Sequence, residues 1–281
     1  ECTQGGSGER FGLLVLHDDA AREYAYGPAL GMPTPQLGAF TPALHEQAKG
    51  AGWTVVSMKD DWKQVFSAAP SEVTAIDILL EPDATMLQRA EANNARLLEV
   101  FPQGFALDAT HRPHVTLLQR FVRTADLDKI YAAAGEVFAG TDVLGLRLEA
   151  FKYYYIPSGP VGLAGIVARP TPELLELQQH LIDAVAPFAL TTGLSDAFAT
   201  TPEDPVIDPL LIDYVSTFVS KSSGEHFDPH VTTGIAPRDV LDKMLAQPFE
   251  SFTFSPAGAA VYQLGQFGTA ARKLHEFGST L

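Results

Sequence analysis

Pro113-His114-Val115-Thr116 and Pro229-His230-Val231-Thr232 are the same four residues in the same order, each followed by a short, largely uncharged stretch. Successive side chains of an extended strand point to opposite faces, so His114 and Thr116 share one face while Val115 points the other way. His230, Thr232 and Val231 repeat the arrangement. Two imidazoles and two hydroxyls can thereby converge on one site. A single H-x-T is a weak signal, since about half of one is expected by chance at ordinary His and Thr content. The matching Pro and Val around both copies point to a shared functional origin.

The rest of the composition bounds what such a site serves. The chain has 281 residues, of which 46% are hydrophobic, enough for one large folded domain or two ordinary ones. No apolar run approaches the roughly 20 residues of a membrane helix, and no membrane association is expected. The start, Glu1-Cys2-Thr3-Gln4-Gly5-Gly6, has no signal-peptide core and reads as a fragment or processed end. Cys2 is the only cysteine, which excludes an intramolecular disulfide and a Cys-rich zinc site and is compatible with a cytoplasmic location. A formal charge of −15 argues against binding of long nucleic acids, which requires clustered Lys and Arg. A small nucleotide or an RNA end remains feasible as a partner, and a monomer is expected.

Along the chain, residues 11–66 read as a small α/β segment. It has strands at Phe11–Leu16, Glu23–Tyr26 and Trp53–Met58, a Gly/Pro-rich loop at Gly27–Pro35 and a helix from Thr41 to Lys49. Residues 67–72, beginning Ser67-Ala68-Ala69-Pro70-Ser71, are linker-like. Beyond them, residues 73–281 form the second domain. Strands are expected at Thr74–Leu80, His114–Val122, Leu144–Phe151, Val161–Ala168, His230–Ile235, Ser251–Phe254 and Ala259–Leu264. Helices are expected at Pro82–Val100, after a Thr124 cap, from Thr171-Pro172-Glu173 to Val185, and at Pro237–Ala246. Thr191–Pro209, rich in Thr, Asp and Pro, reads as a specificity loop or a plain surface insertion. Each motif strand leads directly into a helix, as an internal duplication would have it.

With both motifs in place, residues 73–281 resemble the 2H phosphoesterase superfamily, the LigT-like 2′-5′ RNA ligases and cyclic nucleotide phosphodiesterases defined by two H-x-T/S motifs. The resemblance rests on His114-Val115-Thr116 and His230-Val231-Thr232. It implies an α+β, bilobal LigT-like fold: two antiparallel sheets with outer helices, related by pseudo-twofold symmetry, with both motifs lining the cleft. The wide separation of the motifs exceeds what a small member needs, and Thr191–Pro209 supplies much of the excess.

The residue types suit the implied chemistry. Cleaving a 2′,3′-cyclic phosphate needs a base to activate water, an acid to protonate the departing ribose oxygen, and donors for the phosphoryl oxygens. His114, Thr116, His230 and Thr232 are the candidate catalytic residues, and no metal or other cofactor is expected. With an ordinary imidazole value near ~6.5, one neutral and one protonated ring predict a bell-shaped pH profile. His230 is taken as the base and His114 as the acid, an order that sequence does not fix. The alternative is a non-catalytic module with RRM-like lobes that binds a nucleotide or RNA end by stacking, which leaves two His-x-Thr pairs without a role.

Neighbouring groups have two readings each. Tyr153 and Tyr155 would share a face in an extended strand and could stack on a base, or else pack in the core or at a strand edge. Arg120 has the strand parity of His114 and Thr116 and either reaches a phosphate or is a surface cation. Lys152 and Lys221 are weaker candidates. His111-x-x-His114 and His226-x-x-x-His230 invite a zinc site, but Pro229 disfavours the helix that the second pair would need and no carboxylate supplies a third ligand.

The first segment has its own resemblance. Arg22-Glu23-Tyr24-Ala25-Tyr26-Gly27, with Gly52-Trp53-Thr54-Val55-Val56-Ser57-Met58-Lys59-Asp60-Asp61-Trp62, resembles the C-terminal tail of a bacterial haloacid-dehalogenase-type phosphatase. Such an enzyme needs a nucleophilic D-x-D after an early strand, whereas Asp126-Leu127-Asp128 falls at a helix start. The resemblance thus implies a non-catalytic segment.

Overall fold

The computed structural model describes residues 11–19, 40–61, 72–202 and 204–278. Its contacts divide the chain into two units, Glu1–Pro70 and Ser71–Leu281. In the first, strands β1 (Leu13–Leu16) and β2 (Thr54–Ser57) pair in parallel, with helix α1 (Pro42–Gly50) between them in sequence. Thr41 starts α1 by accepting a hydrogen bond from the Leu44 N–H, and Pro42 needs no partner at the first helical position. The strand expected at Glu23–Tyr26, the loop at Gly27–Pro35 and residues 67–71 of the linker lie outside the described residues.

The second unit runs β3 (Val73–Pro82), α2 (Ala84–Val100), β4 (Val115–Arg123), α3 (Leu127–Ala139), β5 (Leu148–Ser158), β6 (Val161–Ala168), α4 (Pro172–Val185) and β7 (Ala189–Leu190), and continues with α5 (Pro209–Ser222), β8 (His230–Pro237), α6 (Arg238–Leu245), β9 (Phe252–Phe254), β10 (Pro256–Leu264) and β11 (Ala270–Phe277). It forms two antiparallel sheets, ordered β11-β10-β3-β4-β7 and β8-β6-β5-β9. The series β11-β10-β3-β4 matches β9-β5-β6-β8, so the halves repeat one plan in an α+β fold.

Side-chain alternation decides what each sheet face meets. Ile76, Ile78 and Leu80 of β3 share one apolar core with Ile130, Ala134 and Phe138 of α3 and Leu174, Leu177 and Leu181 of α4. Ala75, Asp77 and Leu79 point the other way. On that second face Ala75 and Phe121 pack with Leu211 and Val215 of α5. In the other sheet, Ala164 and Ala236 pack with Leu97 of α2 and with Leu241 and Met244 of α6. Helix α2 thus follows a strand of the first sheet but packs on the second, and α4 does the reverse.

Four features depart from the sequence expectation. Helix α5 and strand β11 were not foreseen. Strand β5 starts later and runs on through the three tyrosines to Ser158. Thr124 opens a 3-10 turn, and its hydroxyl meets that of Thr74 at 2.8 Å instead of capping α3.

Candidate active site

Each motif strand carries a β-bulge one residue after its threonine. In the β3–β4 pair Leu79 faces Thr116 but Ile78 faces Leu118, which leaves Leu117 as the extra residue. In the β6–β8 pair Gly165 faces Thr232 but Ala164 faces Gly234, which leaves Thr233 as the extra residue. Gly234 has φ of 143°, where a side chain is strained. A bulge frees a carbonyl from the ladder, and a buried carbonyl needs a donor. Both are supplied by side-chain amides of the exchanged helices: Asn94 Nδ2 of α2 donates to the Thr233 oxygen at 2.9 Å. Gln178 Nε2 of α4 donates to the Leu117 oxygen at 3.0 Å. Asn94 also holds the loop before the first motif, donating to the Phe105 carbonyl at 3.0 Å and accepting from the Leu107 N–H at 3.2 Å.

The imidazoles are fixed alike. His114 Nδ1 donates to the Arg112 carbonyl at 2.6 Å, and His230 Nδ1 donates to the Asp228 carbonyl at 2.7 Å. Each ring is anchored two residues upstream, which sets Nε2 as the working nitrogen. His114, Thr116, His230 and Thr232 all line one cavity of about 430 Å³, a volume within the usual range for small-ligand sites. Its walls include Tyr154, Tyr214, Phe218, Phe227 and Phe267, with Asp208, Asp228 and His226 also contributing.

The surroundings of the two histidines differ. Asp77, fully buried, accepts from Thr116 Oγ1 at 2.7 Å and Gln119 Nε2 at 3.0 Å, and its Oδ2 is 3.4 Å from His114 Nε2. Burial pulls the His114 value down, but the Asp77 carboxylate facing Nε2, with the Arg112 carbonyl and the charge of Glu81, outweighs it and holds His114 above an ordinary imidazole. Burial dominates at His230 and pushes it below the ordinary value despite the Asp228 carbonyl, and the positive charge of His114 adds to that lowering.

The structure places the remaining substrate-binding candidates outside the lining of this cavity. Residues directly opposite across strands share a face. Tyr154 faces Gly165, which faces Thr232, so Tyr154 is the tyrosine of the cavity. Its ring centroid lies 4.8 Å from that of His230. Tyr153 points to the other face and packs edge-on against Phe249, and the Tyr155 hydroxyl donates to Asp242 of α6 at 2.7 Å. Arg120 is turned away because the bulge at Leu117 reverses the parity: Thr116 and Gln119 both reach Asp77, so Arg120 falls on the opposite face. Neither Lys152 nor Lys221 lines the cavity; Lys221 pairs with Asp213 at 3.7 Å. His111 is held between Asp108 and Asp204, at 3.1 and 3.0 Å, and stacks on Phe105. Among the described residues no group of His, Cys, Asp or Glu is arranged to hold a metal ion.

Asp77, Gln119 and Tyr154 escaped the sequence reading. For Asp77 a signal existed: a lone carboxylate inside the apolar run Thr74-Ala75-Ile76-Asp77-Ile78-Leu79-Leu80.

No protein-family model matches the chain, and no curated protein matches its sequence. Among solved structures it is similar to TT0787 of Thermus thermophilus, at 16% identity and a TM-score of 0.45, over 73% of this chain and 97% of that one. It is also similar to E. coli LigT complexed with phosphate, at 14% identity and 0.39, over 73% and 95%. Kluyveromyces marxianus Usb1 follows at 10% identity and 0.36, over 73% and 98%. None of these likenesses assigns an activity to the chain.

Proposed function

We propose that the chain is a metal-independent 2H-type phosphodiesterase that hydrolyses a 2′,3′-cyclic phosphate or a 2′-5′ linkage of RNA or a nucleotide. The observation that carries this is the pair of H-x-T motifs in one cavity, each imidazole anchored through Nδ1 to the carbonyl two residues upstream.

Water bound beside His230 gives a proton to Nε2 as its oxygen attacks phosphorus. The bond from phosphorus to one ribose oxygen breaks, and His114 Nε2 gives its proton to that oxygen. The product is a phosphomonoester with a free ribose hydroxyl. Solvent then returns the proton from His230 and restores the one on His114. Thr232, whose hydroxyl has no protein partner among the described residues, is placed to donate to a phosphoryl oxygen. The aromatic walls suit a nucleobase. Residues 1–66 are given no catalytic part, since no comparison carries their likeness to a phosphatase tail. Among the described residues no helix is long and apolar enough to cross a membrane.

The test is hydrolysis of a 2′,3′-cyclic mononucleotide and of a 2′-5′-linked dinucleotide in EDTA by wild type, His114→Ala and His230→Ala, with the products identified by chromatography. Turnover by wild type alone supports the reading. Equal turnover by all three, or none by folded wild type, removes it.

A further inference from the structure

The two halves of the site share one strand register but differ in the polarity of one cross-strand pair. Leu79 faces Thr116 and Gly165 faces Thr232; two residues back on the same strands lie Asp77, opposite Gln119, and Leu163, opposite Ile235. A carboxylate and an amide in the first half therefore correspond to two aliphatic side chains in the second.

A carboxylate with no exposed surface is costly unless charge and hydrogen bonds compensate it. Thr116 and Gln119 each donate to Asp77 Oδ2 but bring no charge, and Asp77 Oδ1 has no protein partner among the described residues. The compensating cation is His114, whose Nε2 is 3.4 Å from Oδ2. With Nδ1 on the Arg112 carbonyl and Nε2 toward Asp77, both ring nitrogens of His114 face acceptors, as an imidazolium requires. His230 has one such acceptor, the Asp228 carbonyl, and Leu163 stands where a carboxylate would have to be.

We infer that Asp77 is the positioning residue that makes His114 the proton-bearing imidazole of the pair and engages the Thr116 hydroxyl proton, so that Thr116 serves the carboxylate and Thr232 serves the phosphoryl group. This rests on the two-histidine reading of the site. The 3.4 Å separation exceeds an ordinary hydrogen bond, so the Nε2 proton is oriented without being surrendered. The other groups facing His114 do not replace Asp77. Glu81 of β3 is engaged by Lys273 at 2.8 Å and by the Tyr262 hydroxyl at 2.7 Å. His230 of β8 opposes a second positive charge, and Tyr214 of α5 is a phenol that burial keeps neutral.

The test compares wild type with Asp77→Asn, which keeps the size of the side chain and an oxygen for Thr116. The His114 ring is titrated by NMR without substrate, its resonance assigned with His114→Gln, and kcat/KM for a cyclic mononucleotide is measured against pH. Removing an opposite charge at this distance is expected to lower the His114 titration by about one pH unit or more, and the alkaline limb of kcat/KM by the same amount, while the acid limb, set by His230, moves in the same direction by less. An unmoved His114 titration in the folded variant overturns the assignment. If Asp77→Asn does not fold, wild type decides: His114 titrating at or below the ordinary value near ~6.5 overturns it, and titration above supports it. A displaced titration in a protein without turnover upholds the Asp77–His114 coupling and rejects the phosphodiesterase.

Discussion

Tyr154 lies across the bare backbone of Gly165 and brings its ring to 4.8 Å from that of His230. A Cβ on Gly165 would stand 2.5 Å from Tyr154 Cε1 and 2.9 Å from the Val231 carbonyl oxygen. The glycine thus permits the contact by close approach, without any unusual backbone angle.

Gly165→Ala is therefore expected to displace the tyrosine or open the β6–β8 pair. An overpacked core site costs about 1–3 kcal/mol, so chemical denaturation should show that loss and turnover should fall with it. An unchanged unfolding midpoint together with unchanged turnover would reject the steric account.

Tyr154 itself separates ring from hydroxyl. Its Oη is buried with no protein partner among the described residues, and burial pushes the phenol well above its ordinary value. Tyr154→Phe should leave stability and kcat within about twofold, because no hydrogen bond is lost. Tyr154→Ala removes the ring against His230 and should cost about tenfold in kcat/KM, the upper end for such a ring pair. Tyr155→Phe loses only the bond to Asp242 and should not affect turnover.

The pH profile follows from the opposed shifts of the two histidines. The base His230 must be neutral and its value lies below the ordinary ~6.5, so the acid limb falls below that point. The acid His114 must be protonated and its value lies above ~6.5, so the alkaline limb falls above it. The pH–rate curve should show a plateau around neutrality broader than two unperturbed imidazoles give. A sharp optimum near ~6.5 would contradict the opposed shifts.

Asn94 and Gln178 are predicted to be stability residues of the site. Replacing either by Leu leaves a bulge carbonyl without its donor, at about 1–3 kcal/mol. Each also holds two further backbone groups, Asn94 those of Phe105 and Leu107 at 3.0 and 3.2 Å and Gln178 those of Ser222 and Gly224 at 3.4 and 3.3 Å, so Asn94→Leu, with the shorter bonds, should be the more damaging in thermal unfolding.

Much of this architecture was legible in the sequence because hydrophobic alternation and caps report directly on strands and helices. Val161–Ala168 and the helix capped by Thr171 fall where the pattern puts them. The convergence of His114, Thr116, His230 and Thr232 was legible from the repeat itself. Arg120 was misplaced because parity counted along β4 is wrong past Leu117, and a bulge leaves no mark in single-strand alternation. Tyr154 was passed over for its neighbours because the face that β5 gives to the site is set by its pairing through Gly165 to Thr232.

The two bulges make the site depend on strand length as much as on residue identity. Were the bulge at Leu117 closed into regular pairing with every residue kept, alternation would turn Gln119 away from Asp77 and bring Arg120 onto the face of the buried carboxylate, where it would compete with His114 for the same charge. The one-residue excess after each threonine thus acts as a phase setting. It decides which face the rest of the strand turns to the cavity, and the Asn94 and Gln178 amides on the freed carbonyls hold that phase in place.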